Sequence, residues 1–421
     1  MQAAPEEEPS TLKQLGPGLI TGAADDDPSG IATYSQAGSQ YGFDLLWTVV
    51  LTYPLMVGIQ IVSARIGRVT GKGLSANMRK IFPSWLCVGI LMLLLVANTI
   101  NIAADIGAMG AALKLVVGGG MHGHALIFGL TSLILQVFIP YQKYVRVLKW
   151  LTMSLLAYVA VVFMVHIQWM QVLRHTVWPH ISFSAAYATV VVAVFGTTIS
   201  PYLFFWQASQ EVEEMRCHQG AKPLNLSRQD AHAALRRIKL DTYIGMGFSN
   251  LVAFFIMLST AVTLHAAGIT TISTAAEAAQ ALRPVAGEAT FLLFSLGIIG
   301  TGLLAVPVLA GSAAYAVAEY FDWEEGLDRQ AWEARGFYII ISVTTLMGVL
   351  LGFTPINPVK ALFWSAVING VIAIPIMAVM MIMAGRKDIM GIFTIRRKLQ
   401  FLGWAATVLM LITVIVMFAY W

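Results

Sequence analysis

The stretch Asp25-Asp26-Asp27-Pro28-Ser29-Gly30 lies inside an otherwise apolar segment, residues 15–37, near the start of the chain. Carboxylates at membrane depth are costly unless they face protein, water or a cation. Pro28 has no backbone N–H to donate, so the helical hydrogen-bond ladder is expected to break beside the carboxylates. The stretch therefore predicts a cation site on an unwound transmembrane helix.

The composition of the whole chain supports a membrane setting. Hydrophobic residues make up 58% of the 421 residues and charged residues 11%, and the mean hydropathy is +0.74. A soluble domain carries about 25% charged residues. A window of about 20 residues, the length that crosses a bilayer, gives about eleven spans. Their centres lie near Gly22, Pro54, Val96, Leu133, Ala157, Thr197, Val252, Gly302, Val343, Gly370 and Leu411.

The basic residues predict the orientation of these spans. With the N-terminus in the cytoplasm, only Lys114, Arg174, Arg283 and Lys360 of the 26 basic residues fall on the outer side. The positive-inside rule then predicts a multi-pass protein of the cell membrane with a cytoplasmic N-terminus and an extracellular C-terminus. Because topology accounts for the net charge of +4, no nucleic-acid partner is expected.

A second interrupted span is expected around Thr197-Thr198-Ile199-Ser200-Pro201-Tyr202, five spans after the first. Paired interruptions at corresponding positions are typical of inverted-repeat transporters, whose site lies between the two breaks. The alternative is that both prolines only kink ordinary helices. The predicted fold is an all-α membrane domain over residues 1–421. It comprises a cytoplasmic tail (1–12), repeat 1 (13–168), repeat 2 (184–383) and an extra helix (399–421).

Four motifs resemble the Nramp family of divalent-metal transporters. Residues 16–38, GPGLITGAADDDPSGIATYSQAG, are similar to the first helix of that family, whose hallmark is Asp-Pro-Gly-Asn. The other matches are residues 60–72 (QIVSARIGRVTGK), residues 104–105 (Ala-Asp) and residues 386–391 (RKDIMG). The resemblance covers nearly the whole chain. It implies a leucine-transporter-like fold with two inverted five-helix repeats, broken helices 1 and 6, and divalent cations bound between those two helices.

The departures from the family pattern bear on the choice of ion. Gly30 stands where the family has an Asn ligand, and Ser200-Pro201-Tyr202 stands where it has Met-Pro-His. A thioether favours soft transition metals, whereas hydroxyl, carboxylate and water oxygens suit Mg²⁺, which usually keeps several waters. The pattern is most similar to the Nramp-related magnesium transporters, so Mg²⁺ and Mn²⁺ are the expected cargo.

The second departure from the family pattern concerns the residues that carry protons. Tyr202 stands where the family has a His, and a phenol with a pKa near 10 is unsuited to proton transfer at neutral pH. Asp105 matches the family aspartate of the third helix, but Ala108 replaces a glutamate and Asn98 replaces a position that is often acidic. We therefore expect passive uptake, driven by about 2.3 kcal/mol per charge per 100 mV of membrane potential.

The residues expected at the metal site supply a side-chain oxygen or a backbone group to the ion, or leave room beside it. They are Asp27, Gly30, Thr197, Ser200 and Asn369. Those expected along the pathway or around the ligands are Asp25, Asp26, Tyr202, Asn98 and Asp105. For Ser200 the alternative role is capping of the broken sixth helix, and for Asn369 it is a bond between helices. No resident cofactor and no obligate protein partner are predicted beyond the metal ion and the lipid bilayer.

Two other functions were weighed against the same residues. A proton-coupled Mn²⁺ or Fe²⁺ importer is possible if Asp105, Asp25 and Asp26 replace the missing relay. An intramembrane aspartyl hydrolase is disfavoured, because adjacent Asp26 and Asp27 cannot face one scissile bond from a regular helix. No enzymatic activity is expected.

Overall fold

The computed structural model describes residues 21–22, 24–139, 148, 150, 153–217, 222–227 and 231–420. Every regular element within these ranges is helical. The predicted cytoplasmic tail, residues 1–12, and the beginning of the first span lie outside the described residues.

Thirteen helices of nine or more residues form the body of this part of the chain. They are α1 Pro28–Tyr41, α2 Leu46–Thr70, α3 Ser84–Val117, α4 Met121–Phe138, α5 Leu156–Met164, α6 Trp169–Val177, α7 Ala185–Thr198, α8 Pro201–Cys217, α9 Ala231–Thr260, α10 Thr290–Phe321, α11 Arg335–Leu351, α12 Pro358–Gly385 and α13 Arg397–Ala419.

Eight stretches of the described chain are long and apolar enough to cross a membrane, and one bent helix pair raises the number to nine. Helix α11 is also apolar but has only 17 residues. The predicted centres from Pro54 to Leu411 each lie inside one of these helices. The predicted total of eleven spans is nevertheless not confirmed, because much of the first span lies outside the described residues.

The first helix is interrupted where the sequence predicts. Residues 21–22 and 24–25 are helical, Asp26 and Asp27 are not, and α1 starts at Pro28. Proline is favoured at a first helical position because its missing N–H has no helical partner there in any case. The sixth span is interrupted in the same way, since α7 ends at Thr198 and α8 starts at Pro201.

The packing of the helices repeats with an offset of five spans. Helix α1 packs against α9, and α8, which follows the second break, packs against α2. Helix α4 packs on α3 as α11 packs on α10, and α3 and α10 pack against each other at the centre. This is the pattern expected when two similar five-helix units face one another in opposite orientation.

The fifth span differs from a straight helix. The helical stretches Met153–Met164 and Trp169–Val177 meet at an angle of 117°. The polar residues His166 and Gln168 lie in the non-helical connection between them. His175 at the end of α6 contacts Asp44 at 2.6 Å, in the turn that follows α1. This contact holds α6 against the end of the first span.

Candidate metal site

Asp27 occupies the break in the first helix and caps α1. Its Oδ1 accepts a hydrogen bond of 2.7 Å from the backbone N–H of Gly30. An aspartate at this position satisfies one of the free N–H groups at a helix start, which fixes the orientation of the carboxylate. Asp27 is only 2% exposed. The second oxygen, Oδ2, points away from the cap.

Two further spans converge on Oδ2 of Asp27. Asn101 Nδ2 in α3 donates to it at 3.0 Å, and the Tyr202 hydroxyl in α8 lies at 3.4 Å. The Tyr202 hydroxyl also reaches the carbonyl oxygen of Ala24 at 3.2 Å. Asp27 therefore joins the first break to the third span and to the second break, and Tyr202 serves as a hydrogen-bonding residue beside it.

At the second break, Ser200 bonds to carbonyl groups that the interruption leaves free. Its hydroxyl oxygen lies 3.0 Å from the carbonyl oxygen of Gly196 and 2.7 Å from that of Thr197. This is the capping arrangement that the sequence left as an alternative role. A hydroxyl that donates its proton still has oxygen lone pairs. Ser200 is 2% exposed and can offer these lone pairs to a cation or to its water.

At Gly30 the first break lies close to the second. A Cβ built at Gly30 would lie 3.2 Å from the Thr197 side-chain oxygen, closer than an ordinary van der Waals contact. Any larger side chain at this position would push into the second break. The absence of a side chain at Gly30 therefore lets the first break lie close against Thr197.

Helix α12 contacts both breaks. Ser29 donates to the carbonyl oxygen of Leu362 at 3.0 Å and lies 3.2 Å from the Ser365 hydroxyl. A Cβ built at Gly196 would collide with the backbone of α12 around Gly370. Asn369 lies one helical turn after Ser365 and beside Gly370. Its Oδ1 is buried and has no hydrogen-bond partner among the described atoms, so it is available as an oxygen ligand.

Two polar residues of α3 have different surroundings. Asn98 Nδ2 donates to the Leu309 carbonyl oxygen and to the Ser312 hydroxyl, each at 2.8 Å, and thereby ties α3 to α10. Asp105, one turn after Asn101, is fully buried, and within the described residues neither of its carboxylate oxygens has a hydrogen-bond partner. Asn98 is thus a packing residue, whereas Asp105 is an unsatisfied acid on the helix that reaches Asp27.

Asp25 and Asp26 contact a different helix. Asp25 Oδ2 lies 2.6 Å from the Ser249 hydroxyl in α9, and Asp26 Oδ1 lies 3.1 Å from it. Ser249 is not among the residues predicted from the sequence. The signal that was present is the polar pair Ser249-Asn250 in the middle of an apolar span.

The donor set at the paired breaks is composed of oxygen atoms. Among the described residues, no group of three or more His, Cys, Asp and Glu side chains is placed to hold a metal. None of the ion pairs in this part of the chain involves Asp25, Asp26, Asp27 or Asp105. A cation at the breaks would therefore meet one carboxylate and several neutral oxygens, a donor set suited to a hard divalent ion.

Comparisons with known proteins identify the family. A family model described as Nramp, natural resistance-associated macrophage protein-like, matches residues 18–420. The "Divalent metal cation transporter MntH" of Acidiphilium cryptum is 27% identical over 393 residues, which are 90% of this chain and 84% of that protein. The protein of the same name from Clostridium acetobutylicum is 26% identical over 97% of this chain and 91% of its own length.

Solved structures show the fold. The Eremococcus coleocola manganese transporter, crystallised with an aromatic bis-isothiourea compound, matches with a TM-score of 0.76 and 16% identity, over 99% of this chain and 89% of that one. Mhp1, a nucleobase-cation-symport-1 family transporter, matches with a TM-score of 0.60 and 13% identity, over 96% of this chain and 92% of that one. The predicted all-α, leucine-transporter-like fold is confirmed. The chain belongs to the Nramp family, whose members are membrane transporters and not enzymes.

Proposed function

We propose that this protein takes up divalent metal cations, Mg²⁺ together with Mn²⁺, across the cell membrane and without proton coupling. The observation that carries the proposal is Asp27, whose carboxylate is capped by Gly30 and shared by Asn101 and Tyr202 at the paired breaks. The names of the relatives, which are divalent metal cation transporters, support the general activity. The ligand set is Asp27, Gly30, Thr197, Ser200 and Asn369.

The residues at the two breaks favour a hard metal ion. No sulfur atom occurs in residues 25–30 or 197–202, so soft-metal selection by a thioether is lost. Mg²⁺ sheds its waters reluctantly and is usually held through one or two carboxylates and retained waters. The Ser200 oxygen and the unpartnered Oδ1 of Asn369 can bind those waters.

Transport without protons is supported by the absence of family relay residues from their usual positions. Tyr202 stands where the family has a His, and Asn98 is occupied in bonds to α10. A divalent ion then moves with the membrane potential, which supplies about 4.6 kcal/mol per 100 mV for two charges. We further propose that the N-terminus is cytoplasmic and the C-terminus extracellular, and that residues 13–168 and 184–383 form the two inverted repeats.

Uptake of Mg²⁺ into proteoliposomes at a clamped potential tests this proposal. Wild type is expected to load the vesicles with Mg²⁺, and Asp27→Asn is expected to abolish the flux, because the isosteric amide keeps the shape of the site and removes its charge. Asp388→Asn is the matched control, since Asp388 is exposed and pairs with Arg386 in a connecting segment. Unchanged Mg²⁺ flux in Asp27→Asn would contradict the assignment of the site.

One observation favours a second candidate, a proton-coupled Mn²⁺ or Fe²⁺ importer. Within the described residues, both buried carboxylate oxygens of Asp105 lack a hydrogen-bond partner, so this side chain could accept a proton and pass it on during transport. A pH-sensitive dye inside the same vesicles separates the two candidates. Passive uptake leaves the internal pH unchanged at clamped potential, whereas symport acidifies the lumen in step with metal entry.

A further inference from the structure

Asp25 and Asp26 form a pair of carboxylates that the site at Asp27 does not use. Both approach the hydroxyl of Ser249 in α9, at 2.6 Å and 3.1 Å. A hydroxyl has one proton and can donate to only one acceptor at a time. One of the two carboxylates is therefore always left without this donor.

The surroundings do not supply the missing positive charge. Asp25 and Asp26 are 1% and 2% exposed, and Oδ1 of Asp25 has no hydrogen-bond partner among the described residues. No Lys, Arg or His in the same described part forms an ion pair with either carboxylate. Two neighbouring buried acids repel each other and each loses its hydration. A bound cation would offset both effects.

We propose that Asp25, Asp26 and Ser249 form a second site for a divalent cation, distinct from the site at Asp27. Two carboxylates and a hydroxyl are hard oxygen donors, the ligand class of Mg²⁺ and Mn²⁺. Asp25 ends the helical stretch before the break, and Asp26 lies in the break itself, on the N-terminal side of Asp27. If the N-terminus is cytoplasmic, as in the proposed function on which this direction rests, an ion leaving Asp27 reaches this pair before it is released into the cytoplasm.

The two sites use different helices. The carboxylate of Asp27 contacts α3 and α8, whereas Asp25 and Asp26 contact α9. A substitution at one site therefore leaves the hydrogen-bond partners of the other in place.

Counting bound Mn²⁺ tests the second site. The full chain in lipid nanodiscs is titrated with Mn²⁺, and free Mn²⁺ is measured by electron paramagnetic resonance. Wild type is expected to bind one more equivalent than the double variant Asp25→Asn/Asp26→Asn. The single variant Asp27→Asn is expected to lose a different equivalent, and Asp388→Asn is expected to bind as wild type does. Competition by Mg²⁺ at both equivalents is expected as well.

Several results would overturn this inference. One is that wild type binds a single equivalent of Mn²⁺. Another is that wild type and the double variant bind the same number of Mn²⁺ ions. A third is that the double variant binds no Mn²⁺ although it elutes as a folded, monodisperse protein. Ser249→Ala gives an independent reading, since it removes a ligand without changing charge and should weaken only the equivalent that Asp25→Asn/Asp26→Asn removes. Binding counts do not depend on flux, so a second equivalent without transport would contradict the proposed function alone.

Discussion

Asn101→Ala tests whether Asp27 is a ligand whose position is set by its neighbours. Asn101 donates to Oδ2 of Asp27 at 3.0 Å, whereas the Tyr202 hydroxyl lies farther from the same oxygen, at 3.4 Å. Without the amide, the carboxylate keeps its cap at Gly30 but can rotate away from the second break.

The size of the effect follows from the bond that is lost. A hydrogen bond to a charged group contributes about 1.5–3 kcal/mol. At about 1.4 kcal/mol per factor of ten, this corresponds to a roughly 10- to 100-fold weaker binding of Mn²⁺. Loss of a residue that orients a metal ligand typically costs about 10–100-fold in affinity. Tyr202→Phe removes a longer contact and should weaken binding less.

The assay is Mn²⁺ binding to the purified chain in nanodiscs, followed by initial rates of uptake in proteoliposomes. Asn77→Ala is the control, because Asn77 is also a buried amide but donates to Thr70, Lys72 and Gly73 in a connecting segment. It should lower thermal stability without changing the affinity for Mn²⁺. Affinity in Asn101→Ala equal to wild type, with the protein folded, would refute the role given to Asp27.

Two other substitutions have defined outcomes. Ser200→Met should raise the ratio of Mn²⁺ to Mg²⁺ uptake, whereas Ser200→Leu, of similar size but without sulfur, should not; equal ratios in the two variants would remove the thioether argument. Burial raises the pKa of Glu325 from its usual 4.5 to about 7, against the opposing effect of Arg216 at 3.3 Å. The carboxyl of Glu325 therefore has a higher pKa in the folded protein than in the unfolded chain. As the pH rises from 4.5 to about 7, the unfolded chain loses this proton first, and the free energy of unfolding falls. Glu325→Gln should therefore gain in melting temperature over wild type from pH 5 to pH 8 in detergent, and a constant difference would contradict this.

The two breaks could be predicted from the sequence because each depends on local chemistry. Proline and adjacent polar residues in an apolar segment interrupt a helix, and both predicted interruptions are present, with α1 starting at Pro28 and α8 at Pro201. The capping role of Ser200 was also foreseen as one of two alternatives, since a Ser three or four residues after a free carbonyl bonds locally.

The partners of the aspartates could not be predicted in the same way. The bond from Asn101 to Asp27 joins residues that are 74 positions apart, and Ser249 is 224 positions from Asp25. Such pairings depend on which faces of the helices meet, and the hydrophobic pattern of a membrane span does not define a face because lipid and protein interior are both apolar. The bend of 117° in the fifth span was missed for a related reason. A hydropathy window averages over the polar connection around His166.

In the proposed site a divalent ion sits against the Asp27 carboxylate between the two broken helices. Anomalous diffraction from crystals of the wild-type protein soaked in Mn²⁺ locates that ion. We expect a peak in contact with a carboxylate oxygen of Asp27 and beside residues 197–200, and we expect it to disappear in Asp27→Asn crystals of the same form. Mn²⁺ bound away from Asp27, or a peak that persists in Asp27→Asn, would contradict it.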